Sequence, residues 1–163
     1  MKRSVLKRKG IGGGRVVRIK RKSPLKRKLG GNKGKKRRKK GEITKLKAQL
    51  WQLCRQIIKK RYGNICYTCK KEIPDGKGMH TGHYITSSLC SIELRFDLDN
   101  LRPQCFHDNI NLSGNWPAYK QAIELEMGPD ITTKLLQRNQ ETKGKVYSKE
   151  WFEAKIQHYS QLI

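Results

Sequence analysis

The chain has 163 residues, enough for one modest domain, and a formal net charge of +25 that is extreme for that length. It contains no apolar run long enough for a transmembrane helix and no apolar core of a signal peptide, so we expect a cytoplasmic protein that does not span a membrane. Such a charge predicts a polyanionic partner, most commonly nucleic acid; an anionic membrane surface is the weaker alternative, because the basic segment lacks an apolar face.

The positive charge is concentrated at the N-terminus. Residues 1–41 carry 20 of the 38 Lys and Arg and no Asp or Glu, which leaves 18 basic and 13 acidic residues in the rest of the chain. Too few apolar groups are present to offset the entropy of ordering, so we predict a tail that is disordered in isolation and binds DNA phosphates. A solubilising tail or a localisation signal is the alternative. The densest part of the tail consists of Lys35, Lys36, Arg37, Arg38, Lys39 and Lys40.

A long helix is predicted over Glu42–Tyr62, at the start of a single folded domain that covers residues 42–163. Apolar residues recur there every three or four positions, basic residues suit its C-terminal end, and Gly63 is expected to end it. Cys54 lies within this helix, and we interpret it as a buried free thiol. The apolar stripe consists of Ile43, Leu46, Leu50, Leu53 and Ile57.

The middle of the domain, residues 64–127, is predicted to form two short strands and a helix. The first strand covers Met79–Ile85 and the second lies near Glu93–Phe96, followed by a turn over Asp97–Pro103. Asn115 is expected to cap the helix that completes this core. The predicted class is therefore α+β, a small core of two strands and a helix flanked by further helices.

Two more helices are predicted after this core. One covers Ile131–Arg138 and is followed by a polar loop over Asn139–Lys145, and the last begins after Ser148, which can cap it. The last helix has an apolar side that we expect to pack on the Glu42–Tyr62 helix. That side consists of Trp151, Phe152, Ile156, Tyr159 and Ile163.

The spacing of the cysteines predicts a structural zinc site. Cys66 and Cys69 are separated by two residues, which lets both thiolates reach one tetrahedral ion, and Cys105 is the expected third ligand. Asp108 is favoured as the fourth ligand because it stands where a second C-x-x-C would end, and His107 is the alternative. Metal binding would supply folding free energy to a core that is otherwise small.

Several residues near this site suit phosphodiester hydrolysis, which needs a base, a divalent cation and ligands for that cation. His83 is the expected base, since an imidazole titrates near neutral pH, and Gly82 is expected to let the backbone approach the substrate. Asn109 is placed to offer an oxygen to Mg²⁺ or Mn²⁺, with His80 as a further ligand or a phosphate contact. Asn100 is expected to hold the loop that carries His83.

A series of motifs follows in one order along the chain: Cys66-x-x-Cys69, Gly82-His83-Tyr84, Leu94-Arg95-Phe96, Asn100-Leu101, Gln104-Cys105, Asn109 and Ser113-Gly114-Asn115. In this order, over roughly residues 45–160, they resemble the NinG/Rap family of lambdoid phage recombination endonucleases. That family is similar to the HNH, or ββα-metal, nucleases, of which the phage junction-resolving endonuclease VII is an example.

The resemblance implies a ββα-metal core in which His83 activates water and Asn109 binds the catalytic metal. It also implies cleavage of branched DNA, such as junctions, D-loops and flaps, in the cytoplasm of the host, with phage or host recombination proteins as partners. A two-fold substrate would suit a homodimer. The sequence departs from the family pattern at Asp108, which ends the second C-x-x-C, and at His80, which stands where an acidic residue is expected. Endonuclease VII-like sites also have an Asp directly before the base, where this chain has Gly82.

Other assignments stay open on the sequence alone. Arg95 and Arg102 could contact phosphate or could be solvated or salt-bridged, and Asp97 or Asp99 could supply a second ligand to the catalytic metal. A non-catalytic zinc-containing nucleic-acid-binding protein would explain the tail and the cysteines but would leave His83 and Asn109 without a role. A sequence-specific HNH restriction or homing enzyme is the other alternative to a structure-specific endonuclease.

Overall fold

The computed structural model describes residues 41–74 and 77–163, so the predictions for the basic tail, including residues 35–40, lie outside the described residues. The described ranges form helices and one two-stranded antiparallel sheet, which confirms the predicted α+β class. None of the described helices is long and apolar enough to cross a membrane. The elements are α1 (Glu42–Tyr62), β1 (Met79–His83), α2 (Ile92–Arg95), β2 (Leu101–Cys105), α3 (Trp116–Met127), α4 (Ile131–Thr142) and α5 (Lys149–Ser160).

Helices α1 and α5 pack along each other and build the first of two hydrophobic cores. Leu50 of the predicted α1 stripe is fully buried there against Phe152 and Tyr159 of α5, whereas Ile163 lies beyond the end of α5 and is half-exposed. Cys54 is the buried free thiol that the sequence predicted, and burial raises its pKa to about 12. The predicted packing of the first helix on the last is therefore confirmed.

Strands β1 and β2 form an antiparallel hairpin, and the predicted position of the second strand was wrong. The segment predicted as a strand, Glu93–Phe96, lies mostly in the short helix α2, and the predicted turn contains the start of β2. Pro103 lies within β2 although proline has no N–H to donate, because both strands of a two-stranded sheet are edges, where a missing donor is tolerated. The register pairs Met79 with Cys105, His80 with Gln104, Thr81 with Pro103, Gly82 with Arg102 and His83 with Leu101.

Hydrogen bonds between distant segments explain α2 and the unexpected length of α4. Ser91 caps α2 by accepting a hydrogen bond from the Leu94 N–H at 3.2 Å. Its own N–H donates to Asn139 Oδ1 at 2.7 Å, and its hydroxyl lies 2.7 Å from that of Thr142. Asn139 and Thr142 therefore extend α4 past Arg138, where the polar sequence had predicted a loop.

The second core joins the hairpin to α3 and α4. Its buried members include Tyr84, just after β1, and Tyr119 of α3, whose rings lie 5.6 Å apart. Leu135 of α4 is also fully buried in this core. The hairpin is thus held from α1 on one side and from α3 and α4 through a separate set of contacts.

Candidate metal centre and adjacent cleft

Four side chains converge at the end of the hairpin where β2 finishes. Their ligand atoms all lie within 4.8 Å of one another, and the sulfurs of Cys69 and Cys105 are 3.9 Å apart. Two sulfurs bound to one tetrahedral zinc ion would be about 3.8 Å apart, given a Zn–S distance of about 2.3 Å. The donor set could therefore hold a metal ion. The four residues are Cys66, Cys69, Cys105 and Asp108.

Asp108, and not the alternative His107, completes this cluster. The side chain of Asp108 is buried, whereas 64% of the His107 side chain is exposed and its Nδ1 lies 3.1 Å from Asp108 Oδ1. The carboxylate Oδ2 accepts hydrogen bonds from the Thr68 hydroxyl at 2.5 Å and from Asn115 Nδ2 at 3.0 Å. Burial raises the pKa of Asp108, but these hydrogen bonds outweigh it and lower the pKa to about 2.

Asn115 has a different task from the one predicted. It precedes α3 as expected, but its backbone is left-handed, with φ of 46°, and its side chain makes no capping hydrogen bond. The side-chain amide instead donates to Asp108, as described above. A residue predicted to cap a helix is therefore used to orient Asp108, a member of the cluster that could hold a metal ion.

The C-x-x-C pair is folded as a tight turn whose backbone supports the sulfurs. The Lys70 N–H donates to the Cys66 carbonyl oxygen at 2.9 Å, and Lys70 itself has a left-handed φ of 60°. The Cys105 N–H donates to Cys66 Sγ at 3.3 Å, and the Asp108 N–H donates to Cys105 Sγ at 3.4 Å. Such donors favour a thiolate over a thiol, which is the form that binds metal.

The thiol pKa values indicate what a cation would do in the cluster. Burial raises the pKa of Cys66, but hydrogen bonds from the Cys69 backbone and the Thr68 hydroxyl outweigh it and lower the pKa to about 7. Burial and the neighbouring Cys66 sulfur raise the pKa of Cys105 to about 11. Two thiolates this close together would repel each other. A divalent cation bound between them would offset their negative charges and allow all three cysteines to be ionised at once.

A cleft lies beside the hairpin, and His83, at the end of β1, lines it together with Asn109. The His83 ring stacks on Trp51 of α1, with centroids 5.3 Å apart and planes inclined by 5°. Its Nε2 is 3.1 Å from the Arg95 carbonyl oxygen, and since a carbonyl only accepts, Nε2 carries the proton and Nδ1 the lone pair. Burial lowers the pKa of His83 to about 4, so the ring is neutral at physiological pH.

Asn109 reaches this cleft from a single π-helical turn, His107–Asn111, which links β2 to α3. His80 of β1 lines the same cleft, with its ring edge-on to Phe106 at a centroid distance of 5.7 Å. Within the described ranges, no Asp or Glu lines the cleft around His83 and Asn109. Arg55 of α1 also lines the cleft, so its described lining includes a cation and no carboxylate.

Asn100 fixes the backbone just after His83. It is completely buried; its Oδ1 accepts from the Ile85 N–H at 2.7 Å, and its Nδ2 donates to the Leu94 carbonyl oxygen at 3.1 Å. The Tyr84 N–H also donates to the Asn100 carbonyl oxygen at 2.9 Å. The segment after β1 is thus tied to α2 and to the start of β2.

The absence of a side chain at Gly82 lets Gln104 pack closely against the backbone of β1. It is buried, and a Cβ at this position would lie 2.0 Å from Gln104 Oε1. Gln104, opposite His80 in the hairpin, is itself fully buried, and its Nε2 donates to the Gly114 carbonyl oxygen at 2.7 Å. Gln104 thus links the hairpin to the segment before α3, a role that no local sequence signal indicated.

Arg102 is not a phosphate contact; of the two alternatives, the salt-bridged one is right. Its side chain is only 2% exposed, and its Nε donates to Glu126 Oε2 at 2.9 Å. The guanidinium also lies over the rings of Tyr62 and Tyr67, at 5.1 and 5.3 Å from their centroids. Glu126 was missed in the sequence because it is 24 residues away in the chain.

Of the remaining charged candidates, Arg95 lies beside His83, whereas Asp97 and Asp99 lie away from the cleft. Arg95 lines a hollow that also contains His83, and its guanidinium donates to the Ser87 carbonyl oxygen at 2.5 Å. Asp97 and Asp99 both pair with Arg138 of α4 and do not line the cleft. Neither carboxylate is therefore available as a ligand at His83 and Asn109.

The fold and the site define a small α+β protein with a cluster of three cysteines and an aspartate that could hold a metal ion. The family model described as Bacteriophage Lambda NinG protein matches residues 6–163, and the chain therefore belongs to the NinG family. Membership of this phage family suggests a role related to phage recombination. No curated protein and no solved structure matches the chain significantly.

Proposed function

We propose that the protein is a metal-dependent endonuclease that hydrolyses phosphodiester bonds in branched DNA intermediates of phage recombination. The observation that carries the proposal is that His83 and Asn109, from separate segments, line one cleft beside the candidate metal centre. A proton acceptor and an oxygen ligand for a cation are the groups that phosphodiester hydrolysis requires. Such a role would place the protein in the host cytoplasm with phage or host recombination proteins.

In the proposed reaction, Nδ1 of His83 takes a proton from a water molecule. The water oxygen attacks phosphorus, the bond from phosphorus to the leaving oxygen breaks, and that oxygen takes up a proton from solvent. The Arg95 carbonyl supports this role because it fixes the tautomer with a free Nδ1, and Trp51 holds the plane of the ring. Its pKa of about 4 leaves His83 unprotonated at neutral pH, as a base must be, and also makes the ring a weaker proton acceptor than an ordinary histidine.

Asn109 and His80 are the residues proposed to hold the catalytic divalent cation, Mg²⁺ or Mn²⁺. When bound, such a cation offsets the negative charge that builds up on the phosphate and the leaving oxygen. Because the described lining of this cleft has no carboxylate, the remaining ligands would be phosphate and water oxygens, as is common for Mg²⁺.

Zn²⁺ is the proposed occupant of the cluster that contains Cys66 and Asp108, and its role is structural. Three thiolates and a carboxylate with tetrahedral spacing suit zinc better than a hard cation such as Mg²⁺. Asp108 precedes Asn109 directly, so an ion bound there would fix the turn from which Asn109 enters the cleft. The metal would thus supply folding free energy and position the second site at the same time.

A cleavage assay on a panel of DNA structures tests the proposal. Purified protein is incubated with junctions, flaps, D-loops and plain duplex, with and without Mg²⁺ or Mn²⁺. We expect cutting of branched forms only with a divalent cation, and a loss of about 10²- to 10⁴-fold in His83→Ala, the range for removal of a general base. His158→Ala, which alters an exposed histidine of α5, is the matched control.

Two outcomes of this assay would contradict the proposal in different ways. Failure of the unmodified protein to cut any DNA form, while it still binds DNA, would favour a non-catalytic nucleic-acid-binding protein. The burial of the His83 ring against Trp51 gives that alternative its support, since a histidine with a purely structural task would be placed similarly. Cutting of plain duplex at a defined sequence would instead indicate a restriction or homing type of enzyme.

A further inference from the structure

The cleft that contains His83 continues along α1 as a groove. One hollow is lined by Lys47, Trp51 and His83. The next shares Trp51 and His83 with it and adds Arg55, and a third shares Arg55 and adds Lys59. Because adjoining hollows share lining residues, they lie in a row along α1, which supplies their common wall. We call this row of hollows the α1 groove.

The residues that α1 contributes to the groove include a stripe along the helix. Lys47, Trp51, Arg55 and Lys59 follow at intervals of four residues, so each neighbours the next, and the stripe winds gradually around the helix. The helix rises by about 18 Å between the first and the last of them. That is the axial length of about five nucleotides of one DNA strand at about 3.4 Å each.

The α1 groove carries positive charge that no described carboxylate balances. Arg55 and Lys59 are exposed, and Arg95 adds a further cation beside His83. In the part of the chain that the structure describes, no Asp or Glu lines the three hollows. Within the same part of the chain, Arg55 and Lys59 form no ion pair, unlike Arg138, which is paired with two carboxylates of the same domain.

We propose that the α1 groove binds the sugar–phosphate backbone of DNA next to the scissile phosphate, with Arg55 and Lys59 as phosphate contacts. An unbalanced row of cations that leads into the proposed catalytic cleft would guide a phosphodiester chain across His83 and Asn109. The choice of DNA as the polyanion rests on the proposed function. The apolar face of α1 builds the core while its basic face binds the substrate, so one helix couples the two.

The test compares two double variants of the full-length chain that remove the same charge. R55Q/K59Q removes the two exposed cations of the groove, and K134Q/K145Q removes two exposed lysines outside it. Binding to a duplex and to a junction is measured by fluorescence anisotropy without divalent cations over a range of salt concentrations. We expect R55Q/K59Q to reduce the slope of log K against log salt by about 1.8, which is about 0.9 for each phosphate that is no longer neutralised.

The control variants decide between the groove and a general charge effect. K134Q/K145Q is expected to change the slope by less than half as much, and R55K/K59R, which keeps both charges, is expected to retain it. Equal slopes for the two neutralised variants would overturn the proposal for the groove. A reduced slope in R55Q/K59Q, together with a wild-type protein that cuts no DNA, would support the groove and contradict the nuclease proposal. Cutting of DNA by the wild type, together with an unchanged slope in R55Q/K59Q, would support the nuclease proposal and contradict the groove.

Discussion

The chemistry of individual residues in this protein depends on what surrounds them more than on their type. His83 is stacked on an indole and bonded to a backbone carbonyl, and its pKa falls to about 4 because burial disfavours the imidazolium. Asp108 is also buried, yet hydrogen-bond donors lower its pKa to about 2. Burial thus favours the neutral form of the imidazole, whereas hydrogen bonding favours the charged form of the carboxylate.

The pKa of His83 predicts a pH dependence of stability. Between its ordinary value near 6.5 and about 4, the unfolded chain binds a proton at His83 that the folded chain does not. The free energy of unfolding is therefore expected to fall as the pH is lowered through this window, by up to about 3 kcal/mol. Urea denaturation of the wild type and of His83→Gln, measured at several pH values, isolates this contribution. A constant difference between the two proteins from pH 7 to pH 4 would contradict it.

The choice of Asp108 over His107 as a metal ligand gives a second prediction at this scale. We expect Asp108→Ala to lose stoichiometric metal and to melt at a lower temperature. The variant lacks one of the four ligands, and without the ion the three close sulfurs lose the positive charge that offsets their repulsion. His107→Ala is the control and should keep its metal, since its ring is mostly exposed. Elemental analysis of the purified proteins checks both. Metal retained in the Asp108 variant and absent from the His107 variant would reverse the assignment.

At the scale of elements, α1 connects the core to the candidate site. Its buried face packs on α5, and Trp51 on an adjacent face stacks on His83 of β1. Contacts between α1 and β2 further fix the hairpin from which His80 and His83 project. A helix that looked in the sequence like a simple core element therefore determines the orientation of the proposed base.

The packing of α1 on α5 predicts a large effect of truncation at Phe152. This side chain is 1% exposed and lies edge-on to Phe96, so Phe152→Ala is expected to cost about 3–5 kcal/mol of the free energy of unfolding. Leu125→Ala, at a side chain that is 81% exposed, should change it by no more than about 0.5 kcal/mol. Chemical denaturation of both variants measures the difference, and similar decreases would show that the α1–α5 packing is not a main source of stability.

At the scale of the whole molecule, the positive charge is concentrated in the sequence that precedes α1. The segment 1–41 holds 20 of the 38 basic residues, whereas the rest of the chain has 18 basic and 13 acidic residues. We propose that the tail provides affinity for DNA of any sequence or shape, whereas the α1 groove determines where the DNA backbone lies relative to His83 and Asn109. The two roles differ because phosphate contacts to a polybasic segment carry no information on geometry.

Removal of residues 1–41 tests this division of roles. The truncated protein is expected to bind DNA more weakly and with a smaller salt slope, lower by about 0.9 for each phosphate that the tail neutralises. It should still cut branched DNA at the same positions, because the described domain begins at α1. A chain with Gln in place of residues 35–40 separates charge from length. A slope that is the same with and without the tail would contradict its role as a DNA-binding arm.

Features that depend on neighbouring residues were predictable from the sequence. The limits of α1, the position of β1, the start of α3 and the C-x-x-C turn follow from local periodicity and spacing, which act over one or two helical turns. Asn109 follows Cys105 by only four residues, so the sequence also predicted that the proposed cation ligand lies close to the thiolates.

Features that depend on contacts across the fold were decided only by the tertiary structure. Pro103 is tolerated in β2 because each strand of a two-stranded sheet is an edge strand. Helix α4 extends to Thr142 because Ser91 forms hydrogen bonds with its polar side chains. Gly82 leaves the space that the Gln104 side chain occupies. Arg102 is buried because Glu126, far along the chain, meets it with a carboxylate. Spacing along the sequence determines which helices can form and which side chains can share one metal ion. Burial of a side chain depends on partners that only folding brings together, and the protonation state of that side chain depends on its burial and partners.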